Sequence, residues 1–297
     1  MSTPVMFNRR LRRDEIDTWL DLVDQTTERG CANRSLALSY LQLPDTIAFV
    51  SSINDEIIGG TAIYQDRNRS GMVLSAVAVM KRFRGTSAFH IIKTSLPFLR
   101  TVAIRDVDAL VAERPRRAGM GFPASLALDS WTKRALASVD FEPIGTMWSY
   151  VLECKESNAV EPNETKWDIE PNIEGTKQLI RAQREAIGQS NSLVWNAFDF
   201  AYSRKTLKTY SINGVARIAT SMERLNDTTV VGPIVVGPDY SESSAVNYIV
   251  SELCREQTMK VHLPLVSGEL ANLVESLADR LGASPKKQAL TLLRKHL

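Results

Sequence analysis

The segment KRFRGTSA, which follows the apolar run MVLSAVAVM, carries residues whose types and spacing could bind a phosphate. Where a strand ends in a glycine turn that opens a helix, backbone N–H groups and the helix dipole favour an anion. Arg82 and Arg84 would add positive charge, and Gly85 would let the backbone approach a ligand oxygen. A hydroxyl on Thr86 or Ser87 could cap the helix and donate to the ligand. The alternative is a solvated basic turn with a Ser/Thr cap.

The elements that must position this segment follow an α+β order. The patterns predict a helix, a three-stranded antiparallel meander, the basic turn, and then helix, strand, helix and strand. Pro97 interrupts the helix that follows the turn, because proline removes a backbone donor. In order, the segments are RDEIDTWLDLVDQTTERG, TIAFVSS, EIIGGTAIYQ, SGMVLSAVAVM, AFHIIKTSLPFLRTVA, VDALVAE, ALDSWTKRALASV and TMWSYVLEC.

A similar order recurs beyond a polar stretch near the middle of the chain. Residues 155–166 are rich in Glu and Asn and contain little to bury, which predicts a linker. We therefore expect two tandem domains of one plan, residues 1–154 and 167–297, each with a mostly antiparallel sheet flanked by helices.

Composition narrows the class of protein without naming a partner. The chain has 297 residues, a formal net charge of +2 and 44% hydrophobic residues, as an ordinary globular protein has. No apolar run reaches the roughly 20 residues that cross a bilayer, and the first residues lack the apolar centre of a secretory signal. We expect a cytoplasmic protein without a membrane partner. Three separated cysteines, without paired histidines, argue against a disulfide framework and against a metal site.

The segment VAVMKRFRGTSA resembles the acetyl-coenzyme A loop of the GCN5-related N-acetyltransferase (GNAT) superfamily. That loop reads Gln or Arg, two residues, Gly, one residue, then Gly or Ala, and here it falls on Arg82, Gly85 and Ser87. Ser87 departs from the last position by one small side chain. Val77 and Val79 match the strand end that precedes the loop, and the element order also fits over about residues 1–154.

The resemblance implies acetyl-CoA as co-substrate, bound by the strand end and by the loop. The strand would separate from VDALVAE, its exposed backbone would pair with the pantetheine arm, and the Val79 N–H would face the thioester oxygen. Such an oxyanion contact contributes about 3 kcal/mol in other enzymes. The implied cofactor-binding set is Val77, Ala78, Val79, Arg82, Arg84, Gly85, Thr86, Ser87 and Ala88.

The resemblance also locates candidate catalytic residues. Glu113, at the end of VDALVAE, is the carboxylate that could take the proton of the attacking amine, or it could pair with the arginines that follow. The tyrosine that often protonates the departing thiolate in this family is replaced by Leu136. Ser130, Tyr150 or water could serve instead, and otherwise the protein would lack this step.

The second domain is similar to the degenerate C-terminal half of tandem members of the superfamily. Its corresponding loop, VVGPDYSESSAV, holds Pro238 without an N–H and negative charge at Asp239 and Glu242, which would repel a diphosphate. We expect it to cover the acceptor site or to be structural. His262 and the aromatic set Trp195, Phe198, Phe200 and Tyr202 are interpreted as core residues.

Three hypotheses follow for function. The first is an acyltransferase that moves acetyl from acetyl-CoA to a small-molecule or peptide amine. The second is a CoA-binding sensor or interaction protein without turnover, motivated by Leu136. The third is aminoacyl transfer from charged tRNA, which the near-neutral charge disfavours because nucleic-acid binding normally leaves a basic patch. The oligomeric state and the acceptor stay open.

Overall fold

The computed structural model describes residues 5–66, 71–96, 106–115, 119–154, 167–183, 191–238, 240 and 242–297. The chain forms two compact units, Met1–Gly145 with Leu290–Leu297, and Thr146–Ala289. The first unit ends at Gly145, within the proposed first domain, and also contains Leu290–Leu297 from the proposed second domain. The proposed linker, 155–166, lies outside the described residues.

The first unit contains the predicted meander, helices and strands. Its strands are β1 (Met6–Arg10), β2 (Thr46–Ile53), β3 (Glu56–Asp66), β4 (Gly71–Val79), β5 (Asp106–Ala112), β6 (Ala127–Leu128), the start of β7 (Glu142–Glu153) and the end of β14 (Ser284–His296). Its helices are α1 (Ile16–Thr26), α2 (Arg34–Leu41), α3 (Arg84–Ser95) and α4 (Thr132–Ala137).

Strands β1 to β4 pair antiparallel in chain order. The hairpin between β2 and β3 turns through Asn54 and Asp55, whose positive φ values of 49° and 63° suit these two residue types. On one face, α3 and α4 bury Ile91, Ile92 and Leu136 in an apolar core with residues of β2 to β5. This core fixes the position of α3 relative to β4.

Strand β5 pairs parallel with β4 on one side and antiparallel with the end of β14 on the other. Arg294 of β14 reaches Asp108 of β5 with two hydrogen bonds, at 2.7 and 3.0 Å. Asp108 is only 1% exposed. A buried carboxylate of this kind needs a charged partner, so this ion pair fixes the last strand in the first unit.

The pattern of ALDSWTKRALASV predicts one helix, but the structure differs at the start of this segment. Ala127 and Leu128 instead pair parallel with Leu110 and Val111, which forms β6, and the helix begins at Thr132. Backbone pairing with a buried strand therefore overrides the helical pattern at the start of this segment.

The strands of the second unit follow the order β7-β13-β11-β10-β9-β8, with β12 against β10. Its strands are the rest of β7, β8 (Asp168–Glu170), β9 (Leu207–Ile212), β10 (Val215–Leu225), β11 (Thr228–Val231), β12 (Val235–Val236) and β13 (Lys260–Ser267). Its helices are α5 (Ile173–Ala182), α6 (Asn191–Ser203), α7 (Glu242–Arg255) and α8 (Ala271–Arg280). The α+β class predicted from the sequence is confirmed.

Histidine and aromatic residues of the second unit mostly occupy the core, as interpreted. His262 is 1% exposed, and its Nε2 lies 3.0 Å from Ser149 Oγ. Trp195 and Phe198 are buried, whereas Tyr202 is 47% exposed. Among the helices that the structure describes, none is long and apolar enough to cross a membrane.

Candidate active site

Strands β4 and β5 separate after a short stretch of pairing. Their parallel register covers only Gly71 to Val73, opposite Asp106 to Asp108. Immediately beyond, the register between β3 and β4 shifts at Ser75, whose hydroxyl donates to the carbonyl of Ala62 at 2.9 Å. A bulge at this point bends the strand and ends its pairing with β5.

The separated part of β4 presents backbone groups at its second edge. The Met80 N–H donates to the carbonyl of Ile58 on β3 at 2.9 Å. Because hydrogen-bonded positions alternate in an antiparallel pair, the backbone groups of Val77 and Val79 point away from β3. A ligand amide lying along β4 could pair with these groups as an added strand does.

A cleft adjoins this edge. Its walls are Ser75, Ala76 and Val77 of β4, the end of α1 with the loop after it, and the segment that leads into α4. It opens to solvent, and the space between its walls, open solvent included, is about 310 Å³. The remaining lining residues are Val23, Thr27, Gly30, Phe122, Ser125, Ala127, Leu128 and Asp129.

At the end of β4, the basic segment forms the start of a helix, as predicted. A 3-10 turn spans Lys81–Phe83 and leads directly into α3. A Cβ added at Gly85 would meet nothing within 4 Å, so the backbone is open to an incoming group there. Thr86 and Ser87 lie beside it in the first turn, with their hydroxyls 3.4 Å apart. Ala88 is buried in the core beneath.

The two arginines of this segment have different environments. Arg82 is largely exposed and pairs with Glu56. The Arg84 guanidinium lies 4.4 Å from the centroid of the Trp131 ring and donates to two backbone carbonyls, that of Val79 at 3.3 Å and that of Thr26. Burial lowers the pKa of Arg84 from its ordinary value, against the opposing effect of Asp129. Arg84 therefore joins the end of β4 to the end of α1.

The predicted catalytic residues lie in three different places. Glu113 follows β5, is exposed, and accepts a hydrogen bond from Thr291 Oγ1 at 3.4 Å. Ser130 is half-buried in the turn before α4. Tyr150 belongs to the core of the second unit and is 1% exposed, and its hydroxyl has no hydrogen-bond partner in the part of the chain that the structure describes.

Position 136 supplies no proton donor, since Leu136 is fully buried in the core of the first unit. Asp129, one residue before Ser130, lines the cleft and was not identified from the sequence. Its place in the cleft depends on segments far apart along the chain, and its only local signal is an acidic residue between a strand end and a helix start.

In the part of the chain that the structure describes, no group of three His, Cys, Asp or Glu side chains could hold a metal ion.

Comparison with known proteins identifies the fold. No family model and no curated protein matches the sequence. Among solved structures, a tandem GNAT protein from the clavulanic acid biosynthesis pathway, determined without acetyl-CoA, has a TM-score of 0.66 and 12% identity over 98% of each chain. A GCN5-related glucosamine N-acetyltransferase region of a fungal multi-domain β-N-acetylglucosaminidase has a TM-score of 0.67 and 12% identity, over 99% of this chain and 38% of that one.

A third solved structure, a GCN5-related N-acetyltransferase from Sphaerobacter thermophilus, has a TM-score of 0.57 and 14% identity, over 98% of this chain and 95% of that one. The chain therefore has the GNAT fold, and the tandem arrangement predicted from the sequence is confirmed, since the tandem GNAT structure matches it over its whole length.

Proposed function

We propose that the protein is an acyl-CoA-dependent N-acyltransferase, with acetyl-CoA bound to the first unit and a small-molecule or peptide amine as acceptor. The observation that carries the proposal is the edge of β4 that faces away from β3, where Val77 and Val79 direct their backbone groups beside a cleft and Arg84 donates to the Val79 carbonyl. The open first turn of α3 follows directly, so one extended ligand could contact both.

The chemistry of these residues fits coenzyme A. The amides of the pantetheine arm would pair with the edge of β4, and the diphosphate would lie at the first turn of α3, near Gly85, Thr86 and Ser87. The thioester is the acyl donor when bound, and the amine would attack it directly. The Val79 N–H would donate to the thioester oxygen as negative charge develops on it.

Arg84 can contribute to the diphosphate site only by exchanging partners. Its guanidinium donates to the carbonyls of Val79 and Thr26, so a ligand phosphate must compete with both. Arg82 is exposed. It pairs with Glu56 and lies 4.9 Å from the centroid of the Phe83 ring, contacts that cost little to break at a surface site. Arg82 is therefore the side chain that first meets the diphosphate.

Titration calorimetry with acetyl-CoA and with coenzyme A tests the binding step. We expect saturable binding of both, weakened in the double variant Arg82→Ala/Gly85→Val, because the variant loses a cation and fills the open space beside the helix start. Release of free thiol from acetyl-CoA across a panel of amines tests transfer. No saturation by either ligand at high micromolar concentration would refute the proposed function.

A second function is favoured by the buried Leu136 in place of a proton donor. The protein would then bind a CoA thioester as a sensor or interaction module without turnover. Saturable binding with no thiol release from any amine supports this function, and thiol release with one amine excludes it.

A further inference from the structure

Asp129 places a carboxylate inside the cleft of the first unit. It lies between β6 and α4, is 4% exposed, and belongs to the cleft lining together with Thr27, Ser75 and Val77. A carboxylate this deeply buried is costly unless its charge is compensated. Most of the neighbouring walls are aliphatic or aromatic, so the compensation comes from hydrogen bonds, from the nearby charge of Arg84 and from what enters the cleft.

In the described part of the chain, one oxygen of the Asp129 carboxylate accepts all of its hydrogen bonds. Oδ2 accepts from the Glu28 backbone N–H at 3.0 Å and from Trp131 Nε1 at 3.3 Å. Within the described part of the chain, Oδ1 accepts no hydrogen bond, and it is not among the fully buried unpartnered atoms. One oxygen therefore positions the side chain, while the other stays accessible.

We propose that Asp129 Oδ1 binds the acceptor as an ammonium ion, which makes the acceptor class a primary amine on an apolar stem. The proposal deepens the proposed function and rests on it. A carboxylate oxygen with an open coordination position is a strong acceptor for an ammonium N–H. Val23, Phe122 and Leu128 supply the apolar walls for the stem, and Val77 brings the edge of β4 to the same cleft.

Arg84 is the cation that competes for this carboxylate. The charge of Asp129 acts on Arg84, whose guanidinium nonetheless donates to backbone carbonyls and not to Asp129. A diphosphate bound at the first turn of α3 would attract Arg84 and leave Asp129 to the acceptor. The test therefore uses probes that carry the whole of coenzyme A.

Two thioether probes differ only in the charged group at the end of the stem. S-(3-aminopropyl)-coenzyme A ends in an ammonium, and S-butyl-coenzyme A ends in a methyl group of similar size. We expect calorimetry to show that the wild-type chain prefers the ammonium probe by about 10- to 100-fold, the range for a hydrogen bond to a charged group. Asp129→Asn should abolish this preference and leave the affinity for S-butyl-coenzyme A unchanged.

The Asn variant keeps the fold contacts of Asp129. Its single carbonyl oxygen can accept from both Glu28 and Trp131, and its NH2 group replaces Oδ1 alone. Asp21→Asn removes the same charge from the exposed face of α1, outside the cleft lining, and controls for long-range electrostatics; it should retain the preference.

Each other outcome overturns a definite statement. The role of Asp129 alone is refuted if the wild-type chain binds the two probes equally, or if the preference for the ammonium probe survives in Asp129→Asn. If the preference is lost in Glu113→Gln and retained in Asp129→Asn, the ammonium binds the carboxylate of Glu113, and the role of Asp129 is refuted. If neither probe binds the wild-type chain, the proposed function fails, and the role of Asp129 fails with it.

Discussion

The two units build the corner between a central strand and the following helix in opposite ways. In the first unit, β4 leads through a 3-10 turn into α3, and the space beside Gly85 is empty to 4 Å. In the second, β12 leads towards α7 through Gly237, where an added Cβ would lie 3.3 Å from the carbonyl oxygen of Arg217 and 3.4 Å from Leu179. The first corner is open, and the second is filled.

Hydrogen bonding follows the same contrast. The Gly237 N–H donates to the Arg217 carbonyl at 2.7 Å, and the Gly237 carbonyl accepts from the Tyr240 N–H at 3.0 Å. The Tyr240 ring packs at 5.1 Å from that of Trp167. The second corner thus uses its own backbone and aromatic rings where the first leaves room for a ligand.

Strand separation alone therefore does not distinguish the two corners. In each unit the central parallel pairing is three residues long, Gly71–Val73 with β5 in the first and Thr228–Val230 with β13 in the second. What differs is the residue types at the corner. Cations, hydroxyls and an uncrowded glycine keep one corner available to an anion, whereas Pro238 and a packed glycine close the other.

The largest expected effect is a loss of stability in the first unit, which distinguishes that unit from the second. Arg294→Ala leaves Asp108 buried without its bidentate partner, which should cost about 3–5 kcal/mol. Hydrogen exchange read by mass spectrometry should show the loss of protection in β5 and β4 before β9 and β10. Lys286→Ala breaks the exposed pair with Glu153, 2.5 Å apart, and should cost no more than about 1 kcal/mol. Equal effects of the two variants would contradict this assignment.

The next effect concerns the brace at the open corner. Arg84→Met loses two hydrogen bonds to carbonyls and the contact with Trp131, so urea unfolding should show a loss of about 1–2 kcal/mol. Arg82→Met removes an exposed ion pair with Glu56 and the surface contact with the Phe83 ring, and should stay within about 0.5 kcal/mol of the wild type. A loss in Arg82→Met as large as in Arg84→Met would show that the two arginines have the same environment.

A matched glycine pair sharpens the comparison of open and filled corners. Gly85→Ala meets no neighbour and should leave the free energy of unfolding unchanged or slightly higher, while the affinity for acetyl-CoA falls about 10-fold if the ligand backbone contact exists. Gly237→Ala should instead cost about 1 kcal/mol through overpacking and leave that affinity unchanged. Titration calorimetry with thermal unfolding distinguishes the two patterns, and the reverse pattern would refute the contrast.

The effect that is smallest at neutral pH is a pH dependence at the cleft side of the first unit. Burial, with a contribution from Asp24, raises the pKa of Cys31 to about 12 from an ordinary 9.0. The raised pKa means that the unfolded chain ionises first, so stability is fully retained below pH 9 and falls as pH rises towards 12. Alkylation of Cys31 by iodoacetamide, followed by peptide mapping, should be slow at pH 8 in the folded protein and fast in urea. Rapid modification of the folded protein would contradict the raised pKa.

The sequence predicts the elements whose signals are local. The alternation around Asn54 and Asp55 predicts the hairpin of β2 and β3, and the order of strand, basic glycine turn and helix predicts the junction of β4 with α3. Strand β14 was missed because its partner β5 lies about 180 residues earlier, as the pairing of Leu290 with Ala112 shows. Strand β6 is two residues long, too short for any periodicity.

The residues of the candidate site also differ in whether the sequence alone predicts them. The corner follows from a contiguous motif, whereas the contacts of Arg84 with Thr26 and Trp131 join residues that no spacing rule connects. Asp129 became visible only once the cleft showed which carboxylate it contains. Side chains that act across elements need tertiary structure to be recognised.

Completion of the first unit by residues 290–297 has a consequence for synthesis of the chain. Ribosomes add roughly 5–20 residues per second, so about 7–30 s pass between the synthesis of residue 145 and that of residue 290. During that interval one edge of β5 lacks its pairing with β14, and Asp108 lacks its ion pair with Arg294. Folding of the first unit should therefore depend on the translation rate and on chaperones until residues 290–297 have been made.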